Sequence, residues 1–231
     1  MTFEESGIFL RGTSGQEKTT CPACSHTRKN KSDKCLSVNI DKGVWHCHHC
    51  GWKGSLDWKE IVKDLTNDKP IEKPKPPKTK LPEEVYKWFE ERCITRAVVD
   101  AEKIGYENRW IQFPFYKDGE VVNIKSRTAD KKFRQSKNAE KCFYRFDNMK
   151  GMETIIITEG EMDALSLVQS GFMNVVSVPD GATQPNSKPS DKKFSFLLSA
   201  EEHLMNANTV ILCTDSDGAG KHLRDELSRR I

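Results

Sequence analysis

Four cysteines in two pairs, "CPAC" with Cys21 and Cys24 and "CHHC" with Cys47 and Cys50, constrain this chain more than any other feature. Two residues between cysteines let both sulfurs of a knuckle reach one ion at about 2.3 Å, and two knuckles complete a tetrahedron. The spacing therefore predicts a small all-β ribbon closed by structural zinc, with no ligand position left for water. A core that small is too weak to fold without such a staple. Cys35, His26, His46, His48 and His49 stand nearby as alternative donors, and the symmetry of the pairs favours the four cysteines. Trp45, Trp52, His46, Lys53, Arg28, Lys29 and Lys31 mix aromatic and basic groups around the knuckles. Such a mixture suits stacking on unpaired bases beside phosphates; it equally suits two tryptophans filling the ribbon's own core.

Eight cysteines, four of them paired at metal spacing, fit a reducing compartment. The opening "MTFEESGIFL" has neither a basic flank nor a long apolar centre, and it is acidic where a transit peptide is rich in arginine. No apolar run approaches the roughly 18 residues of a membrane span. The expectation is a cytoplasmic protein without a signal or transit peptide and without a membrane partner.

The chain does not read as one domain. "TNDKPIEKPKPPKTKLP", residues 66–82, holds five prolines and five lysines and almost nothing to bury. Proline favours extended backbone and the lysines repel one another, so the stretch predicts a semi-stiff solvated tether. Residues 1–65 before it form the ribbon domain. Behind it, "EEVYKWFEER" places Val85, Trp88 and Phe89 on one helical face. "RWIQFPFYKDGEVVNIKSRT" alternates apolar and polar residues about Asp118-Gly119, a hairpin signal. These elements make an α+β subdomain over 83–150, in which basic residues outnumber acidic ones about two to one from Lys117 to Arg145 although the whole chain balances at only +3.

From 151 to 231 the pattern changes. "TIIIT", "NVVSV" and "TVILC" are short continuous apolar strands, with helices expected over "MDALSLVQSG", from about Ser195, and over Lys221 to Ile231. Buried strands alternating with helices predict a Rossmann-like parallel sheet covered on both faces. Ligands bind such sheets beyond the carboxyl ends of the strands. "IIITEGEMDALS" sets Glu159 at one strand end, with Asp163 in the helix that follows, and "VILCTDSDGAGK" sets Asp215 and Asp217 at another. Clustered carboxylates stay ionised only around a hard cation, and an oxygen-only donor set favours Mg²⁺ or Mn²⁺.

"ITEGEMDAL" followed by "CTDSDGAGK" resembles the Toprim domain of bacterial and phage primases, topoisomerases and some nucleases. With a four-cysteine ribbon, a tether and "VVNIKSRTADKKF" ahead of it, the chain is similar over nearly its whole length to the primase half of T7-type bifunctional primase-helicases and their Twinkle-like relatives. The resemblance implies that Glu159 and Asp163 are the Toprim glutamate and its helix aspartate, and that Asp215 and Asp217 hold the catalytic magnesium with Glu159. It implies that Lys125, Arg127, Lys131, Lys132 and Arg134 bind nucleotide and template, and that Gly181 lies in a loop bordering the site. The implied activity is that of a DNA primase of phage or bacterial replication, joining NTPs into a short RNA primer on single-stranded DNA by two-metal nucleotidyl transfer. A replicative helicase and a DNA polymerase are the implied partners, in a bacterial or phage-infected cell.

Family Toprim domains run on into a further strand, and T7-type proteins into a RecA-like ATPase. The resemblance thus implies a Toprim domain truncated at its C-terminal end and a fragment of a longer primase-helicase. These 231 residues contain no Walker A sequence. Two other activities fit the same motifs: a catalytically inactive module that grips single-stranded DNA for a Twinkle-like helicase, and a Toprim nuclease or recombination mediator with a zinc ribbon.

Overall fold

The computed structural model describes residues 2–56, 70–182 and 191–231. The end of the expected ribbon domain, the first four residues of the Pro/Lys stretch and most of the polar loop after Gly181 lie outside them. The chain divides into two compact units, Met1–Asp68 and Lys69–Ile231.

The first unit is an antiparallel sheet of four short strands in sequential order: β1 (Gln16–Thr19), β2 (Leu36–Asn39), β3 (Val44–Cys47) and β4 (Lys53–Ser55). Alternation sorts its side chains: Leu36, Val38, Trp45 and Cys47 face a core with Ile8, while His46 and Lys53 face solvent. Trp45 is buried between Phe3 and Trp52, at ring-centroid distances of 6.0 and 5.4 Å. Gly54, its cross-strand partner, leaves the indole room, because a Cβ there would lie 2.4 Å from the ring. Of the two roles open to Trp45, the structure shows packing.

The second unit begins with two helices, α1 (Glu83–Glu90) and α2 (Arg96–Ala101), and an antiparallel sheet of β5 (Gly105–Glu107), β6 (Trp110–Lys117), β7 (Glu120–Arg127) and β8 (Phe133–Gln135). Asp118 and Gly119 turn the β6–β7 hairpin with φ of 55° and 78°, the pair of positive values a tight two-residue hairpin needs. A parallel sheet follows in the order β10-β9-β11, built from β9 (Thr154–Thr158), α3 (Glu161–Gln169), β10 (Val175–Ser177), α4 (Phe196–Asn206), β11 (Thr209–Cys213) and α5 (Gly218–Ser228). Helix α5 starts three residues before the expected Lys221, because the Asp217 side chain accepts a hydrogen bond from the Gly220 amide and caps it.

The two sheets of this unit share one core. Phe113 and Phe115 of β6 pack on Tyr144, Phe143 packs on Phe196 of α4, and Ile155, Ile157, Leu165 and Val175 close the other side. Tyr144 bridges to Ser177 at the edge of β10 through reciprocal backbone hydrogen bonds of 2.9 and 3.2 Å. Buried Arg145 beside it ion-pairs with Glu102 at 3.0 Å and donates to the Val175 carbonyl at 2.7 Å.

The described part of the Pro/Lys stretch lies against this unit. Glu72 and Asn138 exchange hydrogen bonds of 3.0 and 2.9 Å, the Tyr106 amide donates to the Lys78 carbonyl at 3.3 Å, and Lys73 pairs with Glu120. Gly105 is what lets Pro77 approach, since a Cβ there would sit 2.4 Å from the proline. Composition shows the prolines and lysines of such a stretch but not the carboxylates that await them on a folded surface. No helix among the described residues is long and apolar enough to cross a membrane.

Candidate functional site

In the first unit the sulfurs of Cys21, Cys24, Cys47 and Cys50 lie within 4.8 Å of one another, with Cys21–Cys50 at 3.8 Å and Cys24–Cys47 at 3.7 Å. Thiolates about 2.3 Å from a tetrahedral ion stand about 3.8 Å apart, so the donor set fits zinc. Burial pushes the Cys21 thiol up to about 12 and the Cys24 thiol higher still; sulfurs held there ionise only against a cation. The predicted four cysteines are thus brought together. His48 is not among them, its Nε2 lying 2.8 Å from Ser37 Oγ.

In the second unit, the register that pairs Thr158 of β9 with Cys213 of β11 makes both strands end at one rim. Glu159 leaves the first strand there and Asp215 the second, and the Asp215 amide donates to Glu159 Oε2 at 3.3 Å. Burial raises the Glu159 carboxyl above its ordinary value and the charges of Asp215 and Asp217 add to the rise, opposed by the amides of Asp215 and Ala182. Asp163, in the first turn of α3, is raised by desolvation of its carboxyl and by Asp215, although the residue as a whole is exposed. Glu159 and Asp163 thus hold their protons more tightly than free carboxyls do. Among the described residues no three of these carboxylates bring their oxygens within 4.8 Å of one another, as the four thiols do with their sulfurs. That suits Mg²⁺ or Mn²⁺, which retain waters and bridge to substrate phosphates.

Two glycines set this geometry. A Cβ on Gly220 would fall 2.2 Å from the Asp215 carbonyl oxygen, so only glycine lets α5 begin directly behind the acidic loop. Gly181 has φ of +62°, and a Cβ there would lie 4.0 Å from the Glu159 carbonyl, which puts its loop beside the rim.

The basic strip is divided by the two-residue period of its strands. Lys125 and Arg127 on β7 share a face with Phe133 and Gln135 of β8, their register partners being Gln135 and Phe133; Arg134 takes the opposite face and lies 4.2 Å over Trp110. Lys125 is buried and donates to Glu161 at 2.8 Å. Arg127, lowered by burial and by neighbouring Arg92, lies 5.1 Å over Trp88. Lys131 and Lys132 occupy the exposed β7–β8 turn, where Lys132 pairs with Asp130 at 3.0 Å.

A second polar group joins the antiparallel sheet to the rim. Asn123 donates to Gln135 at 2.7 Å, Gln135 to Asp180 at 2.8 Å, and Lys141 to Asp180 at 2.6 Å. Burial lowers Lys193, which also feels the charges of Asp180, Lys141, Glu159 and Lys125. Sequence reasoning set Glu161 beside Asp163 at the helix start without a role, and passed over Gln135, Asp180, Lys141 and Lys193. Asp180, next to Gly181 in "VPDGA", and Gln135, two residues from Phe133, were the available signals.

The structure thus joins, in one chain, a four-cysteine ribbon and a three-stranded parallel sheet with acidic residues at the ends of its strands. The Toprim domain family matches residues 153–231. The chain is 32% identical over 228 residues to the primase homolog protein of Arabidopsis thaliana, covering 91% of this chain and 68% of that one. It is 30% identical over 234 residues to the Arabidopsis thaliana Twinkle homolog protein, chloroplastic/mitochondrial, of which it spans about a third (32%). In structure it is similar to the primase fragment of the bacteriophage T7 primase-helicase protein, with a TM-score of 0.53, 18% identity and coverage of 92% and 85% of the two chains. The zinc-binding and RNA polymerase domains of the Aquifex aeolicus primase give 0.51 at 14% identity, over 98% of this chain and 72% of that one. The chain belongs to the family of that primase homolog.

Proposed function

We propose that the chain is a DNA primase that joins NTPs into short RNA primers on single-stranded DNA. The observation that carries this is the grouping of Glu159, Asp163, Asp215 and Asp217 at the carboxyl ends of β9 and β11, where the charges of Asp215 and Asp217 raise the proton affinity of Glu159 and that of Asp215 raises Asp163. Glu159, Asp215 and Asp217 would hold divalent magnesium or manganese. Ions bound there would lower the pKa of a ribose 3′-hydroxyl and bear the charge of the leaving pyrophosphate. The chain's own share is positioning and charge. Glu159 accepts from the Asp215 amide and so stays aimed at the rim, while Gly181 and Gly220 keep backbone close without filling the space. Lys193, which feels the charge of Glu159, would offset part of a triphosphate's charge, with Arg127, Lys131 and Lys132 along the path of nucleotide and template. The zinc ribbon, replicative helicase and DNA polymerase complete the proposed setting, in the cytoplasm of a bacterial or phage-infected cell.

The second possibility is a catalytically inactive module that holds single-stranded DNA for a Twinkle-like helicase. It is favoured by Lys125 being spent on Glu161. One assay separates the two: the chain is incubated with single-stranded templates, labelled NTPs and Mg²⁺. Short oligoribonucleotides that vanish on Asp215→Ala support the primase, and template binding without product supports the module.

A further inference from the structure

The ribbon holds five cysteine sulfurs where a tetrahedral ion takes four. Cys35, buried just before β2, has its Sγ 3.6 Å from that of Cys47 and 3.9 Å from that of Cys24. Those are the separations that thiolates on one zinc have from each other, about 3.8 Å, so Cys35 stands at ligand spacing from two of the four. The four ligands themselves are unequal: Cys21, Cys24 and Cys47 are buried and Cys50 is exposed. The position most open to displacement therefore belongs to Cys50, and a spare sulfur lies packed against the opposite edge of the same cluster.

We infer that Cys35 is a reserve zinc ligand that takes the fourth position when Cys50 leaves it. In the exchange the zinc–sulfur bond to Cys50 breaks and one to Cys35 forms. The Cys35 proton passes to the departing Cys50 sulfur, so the number of bound thiolates and the charge of the site stay the same and no electrons move. Rotation of χ1 between staggered wells is the movement that would carry the Cys35 sulfur from the Cys24–Cys47 edge onto the ion as Cys50 departs. Two of the nearby imidazoles are otherwise engaged: His48 lies against Ser37 Oγ at 2.8 Å, and His26 Nδ1 is 3.2 Å from the Pro22 carbonyl oxygen. A ribbon built this way keeps its metal when its one accessible thiolate is lost. The inference stands on the ribbon alone and is independent of whether the Toprim rim polymerises.

The test uses the whole 231-residue chain and reads metal rather than activity. Zinc affinity is measured by competition with a chromogenic chelator, and coordination by the absorption spectrum of the Co²⁺-loaded protein, whose charge-transfer intensity counts thiolates. Cys35→Ser alone should bind zinc as the parent does. Cys50→Ala should still take one zinc, weakened by no more than about tenfold, with an all-thiolate cobalt spectrum. Cys50→Ala/Cys35→Ser should weaken binding beyond the roughly hundredfold that loss of an outer contact can cause. A three-sulfur spectrum completed by water or histidine in Cys50→Ala would overturn the inference. So would equal zinc affinity in Cys50→Ala and the double variant, or loss of zinc from Cys35→Ser alone.

Discussion

Gly220 sets how closely α5 can begin behind the acidic loop, because the space its Cβ would need is the Asp215 carbonyl. Gly220→Ala should therefore displace Asp215 and lower stability by about 1–3 kcal/mol, the cost of overpacking. The measurements are a urea midpoint and the yield of oligoribonucleotide, both of which should fall. Glu159 makes a prediction with a definite sign. Its carboxyl binds a proton more tightly in the folded chain than in the unfolded one. Folding then takes up protons above the ordinary carboxylate value of about 4, and stability falls as pH rises through the window up to the raised value. Glu159→Gln, which carries no charge, should melt a few degrees higher than the parent at pH 7 in a chelator. It should also lose most of the stabilisation that millimolar Mg²⁺ gives the parent. A thermal scan at pH 5 and pH 7, with and without Mg²⁺, would show the Mg²⁺-dependent rise to be larger at pH 7 for the parent and small at both for the variant.

At the scale of elements, Arg145 ties the end of α2 to the edge of the parallel sheet through Glu102 and the Val175 carbonyl. Arg145→Ala leaves a largely buried carboxylate without its partner and should cost about 3 kcal/mol or more, read as a drop in the denaturant midpoint of the second unit. Arg145 also shows where sequence reasoning ends. In the chain it is one more basic residue of a strip, and nothing local says that it turns inward, because its partners lie 43 and 30 positions away. The elements themselves were legible: β9, β10 and β11 are continuous apolar runs, and the Asp118-Gly119 hairpin follows from its turn residues. So was the acidic rim, since parallel strands of equal phase must end together and Glu159 and Asp215 each follow one. The basic strip was legible only as charge. The two-residue period separates Arg134 from Lys125 and Arg127, and burial commits Lys125 to Glu161. Asn123, Gln135 and Asp180 escaped because two of the three are uncharged and their contacts join segments 12 and 45 positions apart in the chain.

At the scale of the whole molecule, the two units draw stability from different sources. The first rests on a small core and four thiols that ionise against a metal; the second has a shared aromatic and aliphatic core. Stripping zinc with a strong chelator should abolish the near-ultraviolet circular dichroism of Trp45 and Trp52 while the thermal transition of the second unit stays within a degree or two of its starting value. A single transition shifted throughout would show the units to be one cooperative body. The central claim is that the rim carrying Glu159 and Asp215 is a divalent-metal site. Titrating the zinc-loaded chain with Mn²⁺ and following free Mn²⁺ by electron paramagnetic resonance tests it most directly. Mn²⁺ should bind the parent and Lys132→Ala alike, and binding should be lost in Glu159→Gln/Asp215→Ala. Binding that is unchanged in that double variant, or absent from the parent at millimolar Mn²⁺, would contradict the account.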